Sequence, residues 1–175
     1  NNLVTLAGVT NKNLASELGK LSLSNGISIL KIGDANGSPF PKARDFFNFL
    51  DITLPPTLER ALMDEYVIGA ISQNNENYFF VVMIINDFGR GFSGMLDWEE
   101  NMAKDLSFLN MATSTDVFNW KDIIIKNKDT RGLINEEGKS KIAYTFLDKN
   151  TILIVGNITA IGDISSVYSS RSVVR

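Results

Sequence analysis

Residues 78–85 read Tyr78-Phe79-Phe80-Val81-Val82-Met83-Ile84-Ile85, the longest unbroken apolar run in the chain. Aromatic and β-branched side chains in such a run fit a strand buried on both faces, in the middle of a sheet rather than at its edge. Just before it, Glu65 to Ser72 is a second strand, joined to Asn77 through Gln73-Asn74-Asn75-Glu76, a hairpin signal. Just after it the apolar period changes from two to three and four. Phe88, Phe92, Met95, Leu96, Met102, Ala103, Leu106 and Leu109 then mark one face of a long amphipathic helix, with Glu99, Glu100, Lys104 and Asp105 on the remaining surface. Strand, turn, central strand and helix form the unit from which the fold is read.

The same succession recurs near the C-terminus. Ser140 to Leu147 is a strand, Lys149-Asn150 a turn, Thr151 to Val155 a second apolar strand, and a helix follows from about Thr159 to Ser170. Two ββα units therefore fit one antiparallel sheet, either as a duplicated unit or as two unrelated hairpin-plus-helix units. Between them lie a polar turn, Asn110 to Asp116, and two strands, Lys121 to Asn127 and Arg131 to Ile134, the second joined to Ser140 through Asn135-Glu136-Glu137-Gly138. On the N-terminal side, Leu3 to Val9 is a strand, and Thr10 caps a helix carrying Leu14, Leu18 and Leu21. Ile27 to Ile32 is a further strand, ended by Asp34-Ala35-Asn36-Gly37, and Ala43, Phe46, Phe47 and Leu50 mark another helix. Thr53-Leu54-Pro55-Pro56 ends that helix and opens a shorter one with Leu58, Ala61 and Leu62 inward. The expected class is α+β, a mainly antiparallel sheet with helices packed on it. Residues 1–175 are expected to form a single domain, with a subdomain joint in the region 38–56.

Composition narrows the chemistry. The chain has 175 residues, 44% apolar and 21% charged, with a net charge of −3. A chain of this size can bury ~70% of its unfolded surface, enough for a core without staples. None are present: Cys is absent, which removes disulfides, thiolate metal sites and thiol nucleophiles, and the His count is 0, which removes the commonest general base and metal ligand. Carboxylate, Lys, Tyr, Ser/Thr or cofactor chemistry remains, as does a cation site built from oxygens. The mild acidity argues against nucleic acid as a partner. No apolar run approaches the ~20 residues of a membrane span. The chain opens Asn1-Asn2-Leu3 without Met, so a targeting or anchoring segment is expected upstream.

Several motifs could carry function. Gly89-Arg90-Gly91-Phe92-Ser93-Gly94 matches G-x-G-x-x-G at the head of the long helix, where backbone amides would meet a pyrophosphate, and Asp116 follows at roughly the ribose-binding distance. Against that, Asn86, Asp87 and Phe88 separate strand from first glycine, and the strand before them is hairpin-paired. Close packing of a glycine-rich helix start explains Gly89, Gly91 and Gly94 equally well. Asp34 to Ser38 with Asp45 departs from the calcium-loop pattern and reads as a plain turn, so no metal site is expected. Asp97, Glu99 and Glu100 beside Trp98 resemble a paired-carboxylate set, yet neighbours on a helix diverge, and a solvated face bordered by Trp98 is the simpler reading. An exposed aromatic on that helix, Trp98 included, would mark a partner surface. Lys126, Lys128, Asp129 and Arg131 form the densest charge group, suited either to an anionic partner or to protecting a sheet edge.

Leu54-Pro55 to Gly69, Phe92-Ser93-Gly94-Met95-Leu96-Asp97-Trp98-Glu99 and Ile125-Lys126-Asn127-Lys128-Asp129-Thr130-Arg131, continuing through Gly138 and Tyr144-Thr145-Phe146 to Thr151–Val155, carry a resemblance. Over Thr53 to Val155 the chain resembles an uncharacterised family of membrane-anchored proteins from small-genome, candidate-phylum bacteria. The resemblance implies an ectodomain, on the extracytoplasmic side of a membrane, carried by one hydrophobic span upstream. It implies no catalytic residues and no cofactor, and its helix-start pattern, Phe-x-Gly-Met-Leu-x-Trp-Glu, requires neither Gly89 nor Gly91. The expected function is a non-catalytic interaction or assembly domain with a protein partner at a membrane or cell envelope. The alternative is a small-ligand or dinucleotide-binding enzyme domain using the Gly89–Gly94 helix start.

Overall fold

The computed structural model describes residues 2–172. In chain order the elements are β1 (Asn2–Leu6), α1 (Leu14–Gly19), β2 (Gly26–Ile32), α2 (Ala43–Phe49), α3 (Pro56–Ala61), β3 (Leu62–Gln73), β4 (Glu76–Ile85) and α4 (Phe88–Asp105). A short 3-10 turn at Ser107–Leu109 leads on to β5 (Asn119–Ile125), β6 (Lys128–Ile134), β7 (Ser140–Asp148), β8 (Thr151–Val155) and α5 (Thr159–Ser172). The eight strands make one sheet in the order β1-β2-β3-β4-β8-β7-β6-β5. Only β1 and β2 pair in parallel; every other neighbouring pair is antiparallel. The protein is thus an α+β fold, as its alternating hairpins and single helices require.

The apolar run lies at the centre, between β3 and β8, with Val81 opposite Ile68 on one side and Ile154 on the other. Its side chains alternate between two cores. Phe79, Val81, Met83 and Ile85 face the larger one, which holds Leu14 and Leu18 of α1, Phe46 and Phe47 of α2, Leu58 of α3 and Met95, Trp98 and Met102 of α4. Phe80 faces the smaller one, with Ile71, Leu153, Val155 and the α5 residues Ala160, Ile161 and Ile164. Phe46, Phe47, Ile52 and Leu54 of the 38–56 segment lie in the larger core.

Connections from β1 to β2 and from β4 to β5 join parallel strands and run the same way across the sheet. Crossovers of the usual right hand then put α1 and α4 on one face, where both lie. Both expected ββα units are present, β3–β4–α4 and β7–β8–α5. A two-fold rotation that carried one hairpin onto the other would place the two helices on the same face. Instead α5 lies opposite α4, so any repetition stops at the hairpins. Bounds also differ locally: β3 begins at Leu62, three residues before Glu65, because α3 ends at Ala61 and the chain enters the sheet at once. The β3–β4 turn uses Asn74 at φ 52° and Asn75 at φ 65°, the left-handed pair that a tight hairpin needs and Asn tolerates.

Candidate functional site

The start of α4 is built by packing. The Asp87 side chain caps the helix, accepting from the Arg90 backbone N–H at 2.9 Å, and the Gly91 N–H reaches the Asp87 carbonyl at 2.9 Å. A Cβ on Gly91 would sit 2.3 Å from Ile85 Cδ1, and one on Gly94 would sit 2.5 Å from both the backbone nitrogen and Cβ of Leu58. These glycines let α4 lie directly on the end of β4 and on α3. Gly89 is already the second residue of the helix rather than part of a strand-to-helix loop, and three strands separate β4 from β5. Asp116 accepts from Asn135 Nδ2 at 2.9 Å and lines another cleft. At this helix start Gly91 and Gly94 are therefore packing residues, the second of the two readings that the motif allows.

One stripe of α4, Phe88, Phe92 and Leu96, does not enter the core. It walls a groove of about 1020 Å³ whose floor is the adjoining face of β5, β6 and β7. Phe88 and Phe92 stack with ring centroids 6.0 Å apart, and both rest on Phe146 of β7, at 5.0 and 6.1 Å. Exposure stays high for residues of this size: Phe88 46%, Phe92 43%, Leu96 39% and, across the groove on β5, Ile124 75%. A concentration of exposed large apolar side chains around one concavity is unusual on a soluble domain.

Beneath the stripe lies a closed polar base. Arg131 on β6 grips Glu99 of α4 two-handed, Nε to Oε1 at 2.8 Å and Nη2 to Oε2 at 2.6 Å, while Nη1 reaches Asp122 at 3.0 Å. Tyr144 on β7 donates to the same carboxylate at 2.8 Å, and Trp120 Nε1 donates to the Glu99 carbonyl at 3.2 Å. The Arg131 guanidinium also stands 5.9 Å from the Trp120 ring centre. Its hydrogen bonds to Glu99 hold the Arg131 pKa above the ordinary range. Burial, then the bond to Glu99, pushes the Tyr144 hydroxyl up. Lys128 Nζ donates to the Leu147 carbonyl at 2.7 Å. Arg131, Glu99 and Tyr144 are thus engaged with one another, while Asp122 and Asp129 stay exposed on the β5–β6 side of the groove.

The structure sorts the residues singled out above. Arg131 and Lys128 line the groove. Lys126 does not: its Nζ lies 3.3 Å from Ser166 Oγ on α5, on the other face. Trp98 is 1% exposed, packed edge-on against Phe47 with its Nε1 bonded to Asp105 at 2.8 Å, so it is corrected from a surface marker to a core residue. Asp97, Glu99 and Glu100 do not converge; only Glu99 turns inward. Asp34 Oδ1 accepts from the Asn36 and Ser38 amides, the bonds of a simple turn, and among the described residues no group of three or more acidic side chains is arranged to hold a metal ion. Phe88 and Phe92 carried no distinguishing signal, since the spacing that exposes them is also that of the core stripe, and Ile124 sits in the unbroken run Ile123-Ile124-Ile125, which does not say which face is covered.

A second cleft, of about 520 Å³, opens at the far end of β7, lined by Asp116, Lys139, Asn157 and Thr159 among others. The first amides of α5 are occupied within it: Ile158 N–H donates to Ser140 Oγ at 2.8 Å and Thr159 N–H to Asn157 Oδ1 at 3.0 Å. Among the described residues no helix is long and apolar enough to cross a membrane. No family model, curated protein or solved structure matches the chain.

Proposed function

We propose that this protein is an interaction domain that seats a partner polypeptide in the α4/β5–β7 groove. The observation that carries the proposal is the placement of Phe88, Phe92, Leu96 and Ile124, four exposed apolar side chains, around a single concavity above a hydrogen-bonded polar base. Apolar groups arranged this way gain by leaving water, ~25 cal/mol per Å² buried, whereas their isolated exposure brings the fold nothing. The base supports binding rather than turnover, because Glu99 already accepts from Arg131 and Tyr144. The family resemblance adds a setting to the proposal, an extracytoplasmic domain tethered from upstream.

Site-specific photo-crosslinking tests it. A photoreactive amino acid is installed at Phe92 or Ile124, and at Glu76 on the distant β3–β4 turn as a control, in cells that produce the protein. The expected result is one discrete protein adduct from the two groove positions and none from Glu76. Adducts no stronger from Phe92 and Ile124 than from Glu76 would refute a partner at the groove.

A further inference from the structure

Resting on that assignment of the groove, we infer that its occupant is an amphipathic α-helix with a basic flank, which completes the helical layer beside α4. The first argument is one of width. Helices cover this face of the sheet, yet the ends of β5 and β6 nearest their shared turn carry no helix, and Ile124, Asp129 and Arg131 form open floor there. Two strands span ~10 Å, the diameter of one helix, so the opening is a single helix position next to α4.

The second argument rules between helix and strand. β5 is the edge of the sheet, and a peptide strand added to it would gain backbone bonds. Such a strand would lie ~5 Å beyond β5 and ~14 Å from β7, where Phe88 and Phe92 rest on Phe146. It would leave the aromatic stripe in water. A helix lying on the floor touches Phe92 on one side and Ile124 on the other.

Charge sets the flank. Arg131 is paired with Glu99 and Asp122, while Lys128, its Nζ on the Leu147 carbonyl, keeps its charge; three carboxylates, Glu99, Asp122 and Asp129, still outnumber these two cations around the groove. Asp129 lines the floor with no ion pair among the described residues, and the Asp122 side chain is 84% exposed. An incoming helix with Lys or Arg beside its apolar stripe meets these carboxylates.

A display library of random ~16-residue peptides, long enough for four helical turns, is selected on the intact protein alone, and the enriched peptides are then measured against the Phe92→Asp/Ile124→Asp variant. Phe92 rests partly on Phe88 and Phe146, and Ile124 pairs with Asp129, so this variant should melt somewhat lower yet stay folded by circular dichroism; Phe92→Ala/Ile124→Ala, which adds no charge, serves as a milder second variant. Enriched peptides are expected to carry apolar residues at i, i+3 or i+4, and i+7 with Lys or Arg alongside, to gain helical circular dichroism on binding, and to bind the variants at least about tenfold more weakly. Asp129→Asn should weaken them several-fold at low salt and little at high salt. Groove-dependent peptides that alternate with period two, or that stay non-helical when bound, would overturn the helix while leaving the groove as a binding site. Peptides indifferent to both variants would overturn both.

Discussion

Glu99 is the residue on which the groove's base depends, because three donors from three different strands converge on it: Arg131, Tyr144 and, through its carbonyl, Trp120. The pair is largely enclosed, with side-chain exposures of 23% for Arg131 and 12% for Glu99. Removing Glu99 takes the two-handed partner from the largely enclosed Arg131, leaving it only Asp122, and takes the acceptor from the buried Tyr144 hydroxyl. Glu99→Ala should therefore destabilise by about 3 kcal/mol, a fall of ~6–12 °C in melting temperature. Glu99→Leu with Arg131→Met should recover most of that loss; equal damage from single and double variants would show that the pair itself does not carry the effect. Nothing in a linear reading joins Glu99 to Arg131, which stand 32 positions apart, and the acidic neighbours of Glu99 disguise it as one of a solvated set. Two tyrosines give a second prediction. Burial lifts Tyr66 to about 12, with Asp45 adding to it, and lifts Tyr144 still more strongly. A hydroxyl that keeps its proton longer in the folded chain than in the unfolded one stabilises the fold below pH ~10, and this contribution is lost as pH rises beyond that value. Absorbance at 295 nm should show these two ionising only well above pH ~10, and Tyr66→Phe and Tyr144→Phe should each remove one late step. Complete tyrosine ionisation by pH ~10.5 with the fold intact would contradict this.

At the scale of elements, α4 is where two interpretations of one motif part. A Cβ on Gly94 would strike the backbone of Leu58, which has no room to yield, so Gly94→Ala should cost about 3 kcal/mol. Gly89 has only Asp87 Oδ1 at 3.5 Å near its Cβ position and lies within the helix, so Gly89→Ala should stabilise by about 0.5 kcal/mol. Denaturant melts of the two variants check the opposite signs. Destabilisation of similar size in both would mean that the glycines share some need other than space. The helix itself was plain in the sequence, as were the strand pairs on either side of it, because period and turn chemistry are local properties. Which stripe of α4 would stay in water was not plain. Phe88 and Phe92 fall in the same helical period as Met95 and Met102, and only the position of β7 relative to α3 decides which pair is covered.

For the whole molecule, the sheet divides into β1–β4 and β5–β8, joined by the β4–β8 ladder. Those two strands are enclosed by partners on both edges and by cores on both faces, while β1 and β5 are edges. Native-state hydrogen exchange should therefore be slowest at Val81, Val82, Leu153 and Ile154 and fastest in β1. Protection in β1 equal to that in β8 would contradict this hierarchy. The order of strands, and the placing of α5 opposite α4, could not be read from local patterns, because they depend on pairings between residues as far apart as Val82 and Leu153. That same ladder bears on how the chain is made. β4 ends at Ile85 and β8 begins at Thr151, so about 65 further residues must leave the ribosome before the inner edge of β4 finds its neighbour. At ~5–20 residues per second this is several seconds during which the most apolar strand of the protein presents an unpaired edge. Nascent chains stalled between these points are the species most dependent on chaperones, and a product truncated before Thr151 should emerge insoluble.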